Sequence, residues 1–224
     1  MPLHHSRPTR RRNARQQHAR WLAAILCCAA LPCLAAEPAV DAGWILPRLE
    51  RPVPSTTPFL ELRESPLLAS PLRVSGEYRR PVADVLVRIV HAPHPETTTL
   101  RDDAIEIERG GKVRRFPLSR APELAGLRAG FGALLAGDHA TLARHFAVDA
   151  DGTRADWTLS LVPTEAALAA KLRGIVLHGH GSEVRCIETQ PVEGSLQRTL
   201  LAGAAVDAAG LADADALVAL CHGD

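Results

Sequence analysis

The sequence predicts a mainly β protein with some α structure: an incomplete antiparallel β-barrel, in effect one curved sheet, closed by a helical lid. Three features point to it. Short runs of β-branched and aliphatic residues, bounded by Gly and Pro, succeed one another through residues 59–117 and again through 155–202. Between them lies a Leu- and Ala-rich stretch, residues 122–146, with apolar residues at helical spacing. The order is strands, helices, strands and a last helix, without the strand–helix–strand alternation of a parallel sheet. That order suggests helices gathered on one face.

The chain opens with a basic, acid-free leader, MPLHHSRPTRRRNARQQHAR, followed by WLAAILCCAALPCLAA and then Glu37. A positive region, a short apolar core and a small-residue exit are the layout of a secretory signal peptide. The apolar core runs 16 residues and contains Pro32, short of the roughly 20 apolar residues of a spanning helix. Residues 1–36 therefore read as a cleaved signal peptide, and residues 37–224 as a single domain in the periplasm. The leader holds six of the 26 basic residues and none of the 25 acidic ones, so residues 37–224 carry a net charge of −5 with His neutral. A net acidic domain argues against nucleic-acid binding, which wants a basic face. Three of the five cysteines also lie in the leader. The remaining Cys186 and Cys221 form an even pair in an oxidising compartment, which suggests a disulfide; two buried thiols are the alternative.

Beyond the leader, DAGWILPRLERP (41–52) reads as a short helix or turn and PVPSTTP (52–58) as a proline-rich connector. FLELRES (59–65) and LLASPLRVSGEYR (67–79) read as strands, with Pro71 at an edge or bulge. Pro81 cannot donate to a ladder, so one strand ends before it and another, ADVLVRIVH (83–91), begins after it. That run is apolar enough to be covered on both faces. In AIEIE, Ile105 and Ile107 face one way and Glu106 and Glu108 the other, ahead of a tight turn at Gly110 and Gly111. Leu124, Leu127, Phe131, Leu134 and Leu135 set the helical spacing of the middle stretch. Its glycines weaken it by about 1 kcal/mol each, so that helix must lean on an apolar surface. Gly137 and Asp138 end it and start a second helical piece, with Asp138 as N-cap. DADG (149–152) reads as a β-turn. ADWTLSLVP (155–163), KLRGIVLH (171–178), EVRCIE (183–188) and SLQRTLLA (195–202) follow as antiparallel hairpins. A C-terminal helix then carries Cys221 back toward the strand of Cys186.

Chemistry-bearing constellations are sparse. His178 and His180 in HGHG stand two apart, a spacing that puts both rings on one face of a strand. A zinc site wants three or four ligands, and the flanking glycines make these solvent-exposed turn histidines. The sequence holds no G-x-S-x-G elbow, H-E-x-x-H, P-loop or dinucleotide fingerprint. No catalytic residue, metal or cofactor is expected. An envelope lipid-processing enzyme, the competing class, would rest on His178, His180 or Asp138.

In order along the chain, WILPRLERP, FLELRES with Phe59 and Glu61, LLASPLRVSGEYRRP, IEIERGGKVRRFPL, LLAGD and WTLSLVP resemble the periplasmic lipoprotein-carrier family LolA, in its divergent LolA-like branch. The similarity spans roughly residues 44–201. The resemblance implies an eleven-stranded incomplete barrel with an apolar cavity and a helical lid. It also implies cargo acyl chains taken from an inner-membrane donor and passed to an outer-membrane acceptor. The family's Arg before Pro bonds lid residues and links closure to cargo; Arg80, before Pro81, holds that position as a lid latch. One departure is that aliphatics around Val85 to Val87 replace the aromatic that commonly follows the Arg-Pro step.

The expected reading is a monomeric carrier of acylated lipoprotein, with free lipid or an aryl-polyene lipid an equally defensible cargo. The cavity would be lined by Leu72, Val74, Val85, Val87, Ile89, Ile105, Ile107, Leu159, Leu161, Ile175 and Leu177, with Leu127, Phe131 and Leu134 from the lid. A non-transporting adaptor with a filled core is the third class.

Overall fold

The computed structural model describes residues 39–64, 68, 70–101, 103–120 and 132–223. The expected signal peptide, 1–36, and the expected lid residues Leu127 and Phe131 lie outside the described residues.

Asp41 starts the first helix by accepting the Trp44 N–H at 2.7 Å, satisfying one of the donors a helix start leaves free. Helix α1 (Ala42–Leu49) then buries Ile45, Leu46 and Leu49, which helical spacing places on one side. Six strands follow as a meander: β1 (Ser55–Arg63), β2 (Leu72–Arg80), β3 (Leu86–Ala92), β4 (Glu96–Leu100), β5 (Ala104–Arg109) and β6 (Lys112–Pro117). Residues 132–135 are helical, and α2 (His139–His145) begins where Asp138 accepts the Thr141 N–H at 2.9 Å. The second set of strands is β7 (Phe146–Gly152), β8 (Asp156–Pro163), β9 (Leu172–His180), β10 (Glu183–Pro191) and β11 (Gln197–Leu201), with the short α3 (Ala166–Ala169) before β9. Helices α4 (Ala202–Asp207) and α5 (Ala214–His222) complete the described chain.

All eleven strands form one antiparallel sheet in the order β6-β5-β4-β3-β2-β1-β11-β10-β9-β8-β7. The long-range pairing of β1 with β11, Phe59 opposite Leu201, joins the two meanders. Among the described residues, strands β6 and β7 each lack a second neighbour, so the sheet stays open. The protein is mainly β, a sheet not closed into a barrel with a few helices, as the sequence predicts.

Three local expectations are corrected. Ser55 to Pro58 belong to β1 and not to a connector: they pair with β2 beyond the end of β11, where a missing proline N–H breaks no ladder. DADG closes strand β7 and is not a turn; Phe146, Val148 and Ala150 alternate with Asp149 and Asp151 along it. The helices are not confined to one face. Phe59, Val74, Ile105, Leu159 and Leu177 share the face that carries α1, whereas Leu60, Leu62, Cys186 and Leu200 pack against α4 and α5 on the other.

Close packing is most stringent at Gly179. A Cβ there would lie 2.0 Å from the Trp157 ring, and that ring is buried with its Nε1–H donated to the Gly181 carbonyl at 2.9 Å. Only glycine lets the strand pass so near an indole.

Candidate functional site

The α1 face divides into two unlike halves. Under α1 and α2, Leu159, Leu161, Ile175 and Leu177 are at most 2% exposed and form one cluster with Ile45, Leu46, Leu49, Leu134, Leu142 and Phe146. Each such side chain contributes about 1.5–3 kcal/mol when removed from water. Four residues expected to wall a cavity, and Leu134 expected in a lid, are thus core. The reason is tertiary: α1 sits against β7, β10 and α2, and its Ile45, Leu46 and Leu49 join Leu142 of α2 in one buried cluster with the β8 and β9 side chains.

Toward β6 the covering thins. Leu86, Leu100, Ile105 and Phe116 are consecutive cross-strand partners on this face. Leu86, Leu100 and Ile107 are half-buried, Ile105 is buried, and Phe116 and Leu72 are 42% and 39% exposed. Val74 is buried beside Phe59 and Val90. Of the expected cavity residues, Leu72, Val74, Ile105 and Ile107 therefore sit on this half of the face.

Val85, Val87 and Ile89 do not. Val85 lies in the turn before β3, its N–H on the Val82 carbonyl. Val87 and Ile89 pair with Arg79 and Glu77 and point to the opposite side of the sheet, while Leu86, Arg88 and Val90 face α1. The cause is Arg88, whose Nη2 donates to Glu61 Oε2 at 2.6 Å. Glu61 is only 5% exposed and also accepts from Arg63. The Arg88 guanidinium lies 4.8 Å from the Phe59 ring centroid, and Phe59 and Tyr78 stack at 4.8 Å. Burial pushes the Tyr78 phenol above its usual value. This polar node at β1–β3 was missed by sequence reasoning. Its signal was present: in FLELR, Glu61 shares the face of Phe59.

Arg80, at the end of β2, donates from Nη1 to the Arg51 carbonyl at 3.0 Å. Arg51 follows α1 and is a junction. Its N–H bonds the Leu135 carbonyl at 3.3 Å, and its Nη2 bonds the Ser182 carbonyl at 2.9 Å. One residue thus ties β2, the end of the 132–135 helical turn and the β9–β10 turn together, through its backbone and its side chain.

Cys186 and Cys221 are joined as a disulfide with Cα atoms 5.0 Å apart, fastening α5 to β10. His180 is exposed and bonds Asp156 at 2.8 Å. His178 differs from the expected exposed turn histidine: β9 extends through it, its side chain is 16% exposed, and it bonds Glu188 at 3.2 Å. Asp138 is engaged in capping α2, and hydrogen bonds from the side chain and backbone N–H of Thr141 hold its carboxyl below the usual range. His178, His180 and Asp138 do not converge on one another.

Among the described residues no helix is long and apolar enough to cross a membrane. The chain matches the family described as outer membrane lipoprotein carrier protein LolA-like over residues 34–224. It is similar to a solved structure of a LolA superfamily protein from Nitrosomonas europaea, with 12% identity, a TM-score of 0.39, and coverage of 73% of this chain and 91% of that one. No curated protein matches it.

Proposed function

The chain belongs to the LolA-like family of outer membrane lipoprotein carriers, and on that footing we propose a periplasmic carrier that shelters acyl chains on the partly exposed β3–β6 half of its α1 face. One observation carries the reading: a single sheet face is filled at one end and leaves Leu86, Leu100, Ile107 and Phe116 partly open to water at the other. A contiguous exposed apolar patch of this kind marks a binding surface. Each methylene withdrawn from water is worth about 0.8 kcal/mol, so shelter for part of a chain is enough to hold it in solution. Lipoprotein, free lipid and aryl-polyene lipid all present such chains. Release requires a better apolar site in the receiver, which gives the direction from an inner-membrane donor to an outer-membrane acceptor. The protein works as a monomer delivered by its cleaved leader, and Arg80 latches the segment after α1 while cargo is aboard.

Native mass spectrometry of the protein purified from the periplasm tests this. An intact lipid bound in stoichiometric amount is expected. Protein that emerges lipid-free and takes up no fluorescent fatty acid overturns the reading. Turnover of the lipid would instead indicate an enzyme, although His178, His180 and Asp138 all lie away from this half of the face. A non-transporting adaptor is favoured by the filled half under α1, and it predicts no uptake at all.

A further inference from the structure

We propose that His178, His222 and Glu188 form a divalent-cation site, of the kind zinc occupies, on the sheet face opposite α1. In the β9–β10 pairing His178 lies opposite Cys186 and Glu188 opposite Val176, which makes His178 and Glu188 diagonal neighbours on one face. The disulfide from Cys186 to Cys221 holds the end of α5 there, and His222 is the next residue. The two imidazoles therefore converge on one carboxylate. His178 Nε2 is 3.2 Å from Glu188 Oε2, and His222 Nε2 is 3.3 Å from Oε1. The ring centroids are 4.8 Å apart. Cys221 is part of the same cluster, within which all ligand atoms lie within 4.8 Å of one another, but its sulfur is committed to the disulfide. Two imidazoles, one carboxylate and an open fourth position suit zinc, whose ligands close to about 2.0–2.2 Å.

The surroundings fit a bound cation. Arg198 donates from Nε to Glu188 Oε1 at 2.7 Å and from Nη1 to Glu64 at 2.8 Å. It thereby orients the carboxylate, as outer-shell partners of metal ligands do, while Glu64 balances its charge. A crevice of about 150 Å³ lined by His178, His222, Asp151 and Asp156 gives entry from solvent, and its carboxylates draw cations inward.

The test is zinc titration of the tag-free protein, disulfide intact, after dialysis against chelator, read by calorimetry and by melting temperature. One zinc per chain and a melting point that rises with zinc are expected. His222→Ala and His178→Ala should each weaken binding by at least about 100-fold, since loss of a mere outer-shell partner already costs 10- to 100-fold. His180→Ala, whose ring bonds Asp156 instead, should leave binding unchanged. His222 sits at the surface, so its variant remains decisive even if His178→Ala fails to fold. Failure of the wild type to form a stoichiometric complex, or undiminished binding by folded His222→Ala, overturns the site.

Discussion

Arg80 Nη1 donates to the backbone carbonyl of Arg51 at 3.0 Å, and the Arg51 N–H in turn bonds Leu135. A β2 side chain therefore reaches the helical turn at residues 132–135 through a single intervening residue. A charged donor to a carbonyl contributes about 1.5 kcal/mol, at the low end for such bonds because the pair is only part-buried. Arg80→Leu should keep the fold and still take up an acyl probe, yet pass it to acceptor vesicles about tenfold more slowly, since one such increment is a factor of ten in rate. Stopped-flow transfer of a fluorescent fatty acid measures this. Unchanged transfer would remove the latch role.

The Glu61–Arg88 pair predicts an asymmetric mutant pattern. Glu61→Leu strands a guanidinium that is 18% exposed, and removing one partner of a buried pair costs about 3–5 kcal/mol; partial exposure of Arg88 places the loss near the lower figure. Replacing both, as Glu61→Leu with Arg88→Met, leaves no buried charge without a partner, since Arg63 is exposed, and should recover most of that stability. Urea unfolding of the two single variants and the double variant forms the cycle. Additive losses would show that the pair is not coupled.

Much of this was legible, and what was not had long-range causes. In β8, Trp157, Leu159 and Leu161 alternate with polar residues, and their common face follows from the period of two. In β3, the run Leu86 to Val90 is nearly all apolar, and only Arg88 could break the tie. Its charge argues for solvent, but its partner Glu61 is 27 residues away, so every side chain of the strand faces opposite to expectation. Strand patterning marks Leu159 and Ile175 as inward but cannot say whether space or another helix meets them. Docking of α1 decides that. His222 and His178 are likewise joined because the disulfide and the packing of Leu217 bring α5 back onto β10.

Tyr78 is the sole tyrosine of the chain, so absorbance near the phenolate band reports one group. Burial raises its ionisation above the usual value of about 10. The unfolded chain therefore loses the proton first as pH rises. The stability contributed by the neutral buried phenol is complete below about pH 10 and is lost as pH climbs through the raised folded value. Alkaline titration should show the phenolate appearing late and together with loss of folded circular dichroism. A phenol that titrates at its ordinary value while the protein remains folded would contradict the packing of Tyr78 against Phe59.

The bond between Cys186 and Cys221 closes a loop with a sequence separation of 35. Constraining a loop of that size in the unfolded chain contributes roughly 3–4 kcal/mol. Both sulfurs are wholly buried among Leu60, Leu200 and Leu217, so alanine at both positions opens a small apolar gap without introducing an unpaired polar group. The double variant Cys186→Ala, Cys221→Ala should melt about 10 °C lower, from roughly 2–4 °C per kcal/mol for a chain of this size. It should also release α5 to protease before the sheet unfolds, because beyond the disulfide α5 holds on chiefly through buried Leu217 and partly buried Leu220. Limited proteolysis under oxidising and reducing conditions follows that release. Equal protease resistance of α5 with and without the bond would mean that packing alone holds the helix to β10.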